Sequence, residues 1–355
     1  MSAHAPGASH TSAALRRRAL LGLGLGASAV MMWPDTRLLA QQVGNFLLGP
    51  PVADVAPIKL SEHVWSIVAT DGFVTEANRG MMSNISFVVS SAGVVVLDTG
   101  SSLQIGQMAI RMIKKVTPLP VIAVFNSHFH GDHWLGNHAF VERFGADLPI
   151  YALAETMAQI KGVEGDLWRT SMERWTNQAT LGTRLVPPNR LVTHGQTLQF
   201  GDITLRTHFY GTAHTSADLS VQVVQDRVTA VGDIAMTNRI ANMEDGSYPG
   251  TFKYYKDLQA ATGEQLWLPG HGDARRDLLE TYGSFMKGIW EPSLQAVKDG
   301  KSLEQARAMV LADPRVAVRA KTMAGFDNNI GKYASLAYLE AEKEAFLRRL
   351  LKCQR

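Results

Sequence analysis

Residues 126–133 read Asn-Ser-His-Phe-His-Gly-Asp-His, and they close the apolar run Val121–Asn126. That run is typical of a buried strand, so the polar residues are expected in a loop at a strand end. Such a loop can turn three imidazoles and one carboxylate toward one point: His128, His130, His133 and Asp132. These groups suit zinc, with iron and manganese as alternatives. The stretch therefore predicts a metal site.

The cysteine content indicates which kind of metal site to expect. Cys353 is the only cysteine, so no intrachain disulfide and no thiolate cluster can form. Structural zinc sites are closed and often rich in cysteine, whereas catalytic sites keep a position open. An open catalytic site is the better interpretation.

Two metals would need further ligands, and the chain offers three candidates. Each follows a predicted strand and has a glycine nearby, which allows a tight turn. They are His214, Asp233 and His271. Seven ligands can form one site of three and one of four, with one carboxylate shared.

In order and local context, these residues resemble the metallo-β-lactamase superfamily. The likeness covers residues 58–275 and includes Asp98 in Leu97-Asp98-Thr99-Gly100. It implies a fold of the α+β class, a four-layer αββα sandwich, with a dinuclear site on one edge. We expect Asp98 to hydrogen-bond the ligand loop from behind rather than to bind metal.

The resemblance also implies a role for each of the seven ligands. The first metal would be bound by His128, His130 and His214. The second would be bound by Asp132, His133 and His271, and Asp233 would bridge the two. The six remaining histidines are interpreted as structural or surface residues: His4, His10, His63, His138, His194 and His208.

The implied function is that of a dinuclear zinc hydrolase in which Asp132 and Asp233 are the catalytic residues. Two cations would hold a hydroxide between them, since coordination lowers the pKa of water from 15.7 toward about 7. The substrate would be a thioester, a lactone, a β-lactam or a related ester or amide. Asp132, or a metal-bound water, would protonate the leaving group.

The residue at position 233 helps to identify the branch of the superfamily. The cysteine-bearing β-lactamases have cysteine at this position, so Asp233 argues against that branch. The ligand set is similar to that of glyoxalase II, lactonases and phosphodiesterases. The nearest likeness is to exported metallohydrolases associated with quinoprotein relay and thiosulfate-oxidation systems. Two alternatives stay open: a sulfur oxygenase similar to persulfide dioxygenases with one iron, and a non-catalytic metal-binding member of the fold.

Residues 1–40 look like an export signal. Arg16–Arg18 precede the mildly apolar run Ala19–Trp33, which resembles a twin-arginine signal peptide. Cleavage is expected after Ala29 or Ala40, and an uncleaved anchor is the alternative. The expected location is periplasmic or otherwise exported.

The net charge of the chain indicates which kinds of binding partner to expect. The chain carries 35 Lys and Arg against 32 Asp and Glu. Without the four arginines and one aspartate of residues 1–40, 31 basic and 31 acidic residues remain. A neutral surface does not indicate nucleic-acid binding. We expect a small-molecule substrate and no membrane contact after removal of the leader; the oligomeric state stays open.

Periodicity divides the rest of the chain into a linker at 41–57, a mixed domain at 58–275 and a helical extension at 276–355. Strands are predicted at Val64–Ala69, Ile85–Ser90, Val94–Leu97, Val121–Asn126, Pro149–Ala152, Gln196–Phe200, Ile203–Phe209, Leu219–Val224, Val228–Val231 and Gln265–Leu268. Helices are predicted at Ser102–Val116, Leu135–Phe144, 154–180, Tyr254–Ala261, Asp277–Trp290, Ser302–Leu311 and Lys332–Leu351. Substrate selection is expected from three segments: Asp71–Ser83, Trp168–Trp175 and Arg239–Pro249.

Overall fold

The first of two sheets has seven strands, paired in chain order. In this computed structural model they are β1 (Ile58–Lys59), β2 (Val64–Ile67), β3 (Ile85–Ser90), β4 (Gly93–Leu97), β5 (Val121–Phe125), β6 (Ile150–Ala152) and β7 (Arg190–Leu191). Pairing is antiparallel from β1 to β4 and parallel from β4 to β7. The residues after β4 and β5 therefore meet at one edge, where open sheets commonly bind ligands.

The second sheet has five strands in the order β12-β11-β10-β9-β8. They are β8 (Thr197–Phe200), β9 (Ile203–His208), β10 (Ser220–Val223), β11 (Val228–Gly232) and β12 (Leu266–Pro269). The pairs from β8 to β11 are antiparallel, and β11 pairs with β12 in parallel. The residues that follow β11 and those that follow β12 are thus brought close together.

The structure describes residues 48–70, 72–237, 239–240 and 242–353, without the side chains of residues 348–353. The predicted leader and residues 41–47 of the predicted linker lie outside these ranges. Residues 48–57 have no regular secondary structure, but they contact the domain: Gly49 N donates to Leu181 O at 2.9 Å. Val52 is buried.

Alternation along β4 shows how the layers form. Val95 and Leu97 belong to a core between the two sheets, which also includes Val221 of the second sheet. Val94 and Val96 face the opposite way, into a core shared with helices. Both faces of this strand are therefore buried, as its continuous run of apolar residues indicates. The predicted α+β class and αββα sandwich are confirmed.

Helices cover both outer faces. Within the described residues they are α1 (Leu103–Val116), α2 (Gly131–Trp134), α3 (Asn137–Phe144), α4 (Ala154–Lys161), α5 (Val163–Trp175), α6 (Tyr248–Thr262), α7 (Leu278–Lys298), α8 (Leu303–Ala312), α9 (Pro314–Ala317) and α10 (Phe326–Cys353). Residues of α1 and α3 join the core outside the first sheet, while α6, α7 and α10 form the core outside the second. No helix of the described ranges has the length and apolar character that crossing a bilayer requires.

Several predicted helix bounds were wrong. The helix predicted over Leu135–Phe144 begins earlier, as α2, and is interrupted before α3. At the interruption a Cβ on Gly136 would lie 2.0 Å from Thr99 O, so the backbone there packs too closely for a side chain. The helix predicted over 154–180 is two helices, divided at Gly162, and it ends at Trp175.

The extension differs from its prediction mainly in helix length. Pro292 lies inside α7, which continues to Lys298 instead of ending at Trp290. Ser293 and Ala296 are buried beyond the proline, so packing continues to support the helix there. The sequence analysis also missed the two-residue strands β1 and β7 and the short helix α9.

Candidate metal centre

All seven predicted ligands converge at the shared edge of the two sheets. His128 and His130 lie in the loop after β5, and Asp132 and His133 lie in α2. The other three follow β9, β11 and β12: His214, Asp233 and His271. None of the seven is more than 4% exposed.

Three overlapping groups of ligand atoms lie close enough to hold ions, each within 4.8 Å. Their members are His128, His130 and His214; His128, His133 and Asp233; and Asp132, His133 and His271. The first and third sets are those that the resemblance assigns to the two metals. The second set connects them.

Asp233 lies between the two sets. Its Oδ2 is 3.1 Å from His271 Nε2 and 3.7 Å from His214 Nε2, while its Oδ1 is 3.3 Å from His133 Nε2. His130 Nδ1 and His214 Nε2 are 3.0 Å apart on the other side. One carboxylate is therefore within reach of imidazoles from both sets, as a bridging ligand requires.

The donor atoms fit divalent cations. Buried polar atoms in proteins are nearly always hydrogen-bonded, yet four that converge here make no hydrogen bond of good geometry among the described residues: His128 Nε2, His133 Nε2, His271 Nε2 and Asp233 Oδ1. Imidazole nitrogen and carboxylate oxygen are ligands of zinc, iron and manganese. Ions at these positions would satisfy atoms that are otherwise buried without compensation.

Hydrogen bonds from behind fix the orientation of three imidazoles. Asp98 accepts from Ser127 N and Ser127 Oγ, both at 2.8 Å, and its Oδ2 is 2.9 Å from His133 Nδ1. Ser127 Oγ is also 2.9 Å from His128 Nδ1. His271 Nδ1 donates to the backbone oxygen of Met82 at 2.6 Å. The Nε2 atoms therefore face the centre, and the hydrogen bonds expected of Asp98 are present.

At four of the ligands the electrostatic environment favours the protonation states that bind metal. Burial lowers the pKa of His128 well below its usual value and that of His214 to about 3. Burial raises the pKa of Asp132 and Asp233, but His133 and His271 outweigh it and hold both pKa values well below normal. Burial lowers the pKa of His133 and His271, but the neighbouring carboxylates outweigh it and raise both pKa values, so metal binding at these two imidazoles would release protons.

Two neighbours of His130 were not identified as site residues from the sequence. Asp245 Oδ2 is 3.4 Å from His130 Nε2, and the Trp168 ring centroid is 4.9 Å from that of His130. Both lie in segments predicted to select substrate, but neither contact was predicted. His130 and Asp245 are 115 residues apart, and no spacing rule links them.

The other segments predicted to select substrate meet beside His271. Arg239 Nη1 is 3.5 Å from His271 Nδ1 and donates to Gly72 O. The guanidinium also lies over the Phe73 ring, 4.7 Å from its centroid. This contact places the loop before β3 against the loop after Asp233.

The histidines interpreted as structural stay outside the centre where they are described. His63 pairs with Asp226, His138 accepts from Arg184, and His208 contacts Gln222. His194 Nδ1 accepts from Phe209 N. His4 and His10 lie outside the described residues.

The two-sheet sandwich, with a cluster of His and Asp side chains at its edge, agrees with one family model. The model described as the metallo-beta-lactamase superfamily matches residues 78–292, more than half of the chain. The chain belongs to this superfamily.

Individual relatives are distant. "Metallo-beta-lactamase type 2" of Bacillus sp. (strain 170) is 23% identical over 275 residues, which cover 73% of this chain and 94% of the relative. The solved metallo-beta-lactamase of Pontibacter korlensis superposes with a TM-score of 0.52 at 19% identity, covering 65% of this chain and 98% of that one. The stereoselective inverting sec-alkylsulfatase Pisa1 of Pseudomonas sp. gives a TM-score of 0.63 at 15% identity, covering 84% and 54% respectively. Such similarities to structures show the fold alone.

Proposed function

We propose that this protein is a dinuclear zinc hydrolase. The observation that carries the proposal is the convergence of seven buried ligands, four of which direct an atom without a hydrogen bond among the described residues into the centre. One zinc would be held by His128, His130 and His214, the other by Asp132, His133 and His271, with Asp233 shared. When bound, zinc supplies Lewis acidity and brings the pKa of water to about 7 at such sites.

The chain's own residues would orient the ligands and move the proton. Asp132 Oδ2 lies 3.2 Å from His271 Nε2, at the inner surface of the site. An ionised carboxylate in that position can accept a proton and return it to a leaving group. Asp98 keeps His133 in one orientation and tautomer, and so fixes where the second ion is held.

The proposed substrates are thioesters, lactones, β-lactams and related esters or amides. The relatives named above are two metallo-beta-lactamases and a sec-alkylsulfatase, so β-lactams and sulfate esters belong in the substrate panel. Export to the periplasm is part of the proposal and rests on residues 1–40 alone. Lysine at both Arg17 and Arg18 should leave the precursor in the cytoplasm, and unchanged delivery would reject this route.

Metal analysis of the purified protein, together with this substrate panel, tests the proposal. We expect about two zinc ions per chain and hydrolysis of at least one member, abolished by chelation and restored by zinc. One iron per chain with oxygen uptake on a persulfide would instead identify a sulfur oxygenase. Bound metal without turnover of any panel member would identify a non-catalytic binding protein.

A further inference from the structure

One flank of α5 carries apolar side chains that solvent reaches. At 3.6 residues per turn, Leu167, Trp168 and Trp175 fall within about 100° of one another around the helix axis. Leu167 is 57% exposed and Trp175 is 42% exposed. The ring centroids of Trp168 and Trp175 are 6.1 Å apart in an edge-to-face arrangement. These three residues form what we call the α5 flank.

The α5 flank begins at the candidate metal centre. The Trp168 ring lies 4.9 Å from His130, a ligand of the first set, at a tilt of 44°. A Cβ on Gly131 would lie 2.7 Å from the Trp168 Cβ, so glycine at this position lets the helix approach the ligand loop. The apolar surface is therefore continuous with the inner surface of the centre.

An ion-pair network of α5 lies on the opposite flank. Arg169 pairs with Asp166 at 3.2 Å and with Glu173 at 2.9 Å. Met172, between the two flanks, is completely buried and anchors the helix. Because these three charged side chains pair away from Leu167, Trp168 and Trp175, the exposed apolar side chains of the α5 flank are available to an apolar group.

The loop before β3 adds apolar surface to the same region. Val74 is half-buried and packs on the same cluster as Trp168, a cluster that includes Phe129. Phe129 lies between two ligands in the chain, and its ring centroid is 4.6 Å from that of His130. Apolar groups from three segments therefore lie on the His130 side of the centre.

We propose that the α5 flank binds an apolar part of the substrate, so that the cleaved bond lies next to an alkyl or aromatic group. This inference rests on the proposed hydrolytic function and specifies its substrate class. Each methylene buried from water contributes up to about fourfold in affinity. Substrates and product-like ligands should therefore bind more tightly as their apolar chain lengthens.

Calorimetric titration of the zinc-loaded full-length protein with acetate, hexanoate and decanoate tests this expectation. The dissociation constant should fall about twofold to fourfold for each methylene that the flank covers. The double variant Leu167→Gln with Trp175→Gln changes two exposed positions, so the fold should persist; far-UV circular dichroism and Tm check it. This variant should bind acetate as before but lose most of the dependence on chain length.

The matched control is Leu311→Gln with Val318→Gln, which changes two side chains of the helical extension that are 50% and 68% exposed. It should retain the full chain-length dependence. Wild-type affinity that does not vary with chain length, no measurable decanoate binding, or an unchanged dependence in the α5 variant would overturn the inference. Binding of neutral phosphatidylcholine vesicles that only the α5 variant loses, with carboxylate binding unchanged, would assign the flank to a membrane surface.

The outcomes separate this inference from the proposed function. Zinc-dependent hydrolysis without chain-length preference would leave the function standing and reject the α5 flank. If the α5 variant loses the chain-length preference but no substrate shows metal-dependent turnover, the α5 flank is confirmed as an apolar binding site and the hydrolytic function is rejected.

Discussion

Gly270 lies between a proposed bridging ligand and a proposed ligand of the second metal. A methyl group built on it would lie 2.1 Å from Asp233 Oδ1 and 2.7 Å from His133 Cε1. Neither side chain can retreat freely, because both are buried and surrounded by other ligands. The absence of a side chain at this position therefore helps to set the spacing of the centre.

Gly270→Ala should displace Asp233 and weaken zinc binding by at least tenfold, the scale of a misplaced ligand. A competition titration against a chromophoric chelator measures this affinity. Gly331→Ala is the control, since a Cβ there meets open space within a helix. It should bind zinc normally and gain up to about 1 kcal/mol of stability. Normal zinc affinity in the Gly270→Ala variant would show that the ligands can shift to accommodate the added methyl group, and would contradict this prediction.

Asp233→Asn keeps the shape of the side chain but removes its charge. We expect the second ion to be lost first, because the first keeps three histidines. The value of kcat should fall more than KM rises, since the lost interaction serves chiefly the transition state. Metal content and steady-state kinetics measure both effects.

His208→Ala, a change outside the centre, is the control for Asp233→Asn and should retain both ions. If the asparagine variant holds two ions and turns over normally, the assignment of Asp233 is wrong.

The seven ligands could be predicted because four lie in one local motif and the other three directly follow predicted strands. Asp245 could not, since its contact with His130 depends on the path of a loop far along the chain. The glycine beside His271 was expected to allow a tight turn and a close backbone approach, but the sequence does not show which atoms approach it. Its close approach to Asp233 becomes visible only once β11 and β12 are paired.

Among elements, the turn between β10 and β11 is tied to the turn before β2. Asp226 accepts hydrogen bonds from Ser61 Oγ, His63 N and His63 Nδ1. Burial raises the pKa of Asp226, but these hydrogen bonds outweigh it and leave the pKa below its usual value. The ionised carboxylate therefore stabilises the folded state.

Asp226→Asn should lower the free energy of unfolding by about 1 kcal/mol at neutral pH. The stabilisation is present above the unfolded pKa, near 3.9, and is lost as pH falls through the lower folded pKa. The difference between wild type and variant should therefore shrink as the pH falls below the unfolded pKa of about 3.9. Urea unfolding at several pH values measures it, and a difference that is constant with pH would contradict this account.

The start of α6 shows why some helix bounds could not be predicted from the sequence. The helix was predicted to begin at Tyr254, whereas α6 begins at Tyr248 and has Pro249 in its first turn. Proline is tolerated in the first helical turn, where its missing N–H would have no partner anyway. Ser247 Oγ accepts from Gly250 N, and Glu340 of α10 accepts from Ser247 Oγ and Tyr248 N. Glu340 is remote from this helix start in the sequence, so no local sequence pattern predicts its contact.

For the molecule as a whole, the helical extension supports the loop that carries Asp245. Glu340 holds the end of this loop, and Lys332 pairs with Glu244 at 2.5 Å. Tyr248 OH also donates to Tyr333 O at 3.0 Å. The last helix is therefore connected to the candidate centre through one short segment.

Glu340→Ala should lower the free energy of unfolding by about 1–3 kcal/mol, because it removes hydrogen bonds to a half-buried carboxylate. It should also speed amide hydrogen exchange in residues 242–252 more than in the strands. Lys343→Ala, an exposed change on the same helix, is the control. Equal exchange in both variants would show that the loop holds its conformation without α10.

The contact between α10 and the loop of Asp245 has a consequence for the order of biosynthesis. A ribosome makes the chain from its amino end, so the ligand loop emerges long before Glu340 does. Glu340 and Lys332 can secure Ser247 and Glu244 only once α10 has left the ribosome. The histidines of residues 128–133 are thus made well before the contacts that complete the surroundings of His130. Chains that stop before α10 should carry all seven ligands and still lack a finished centre.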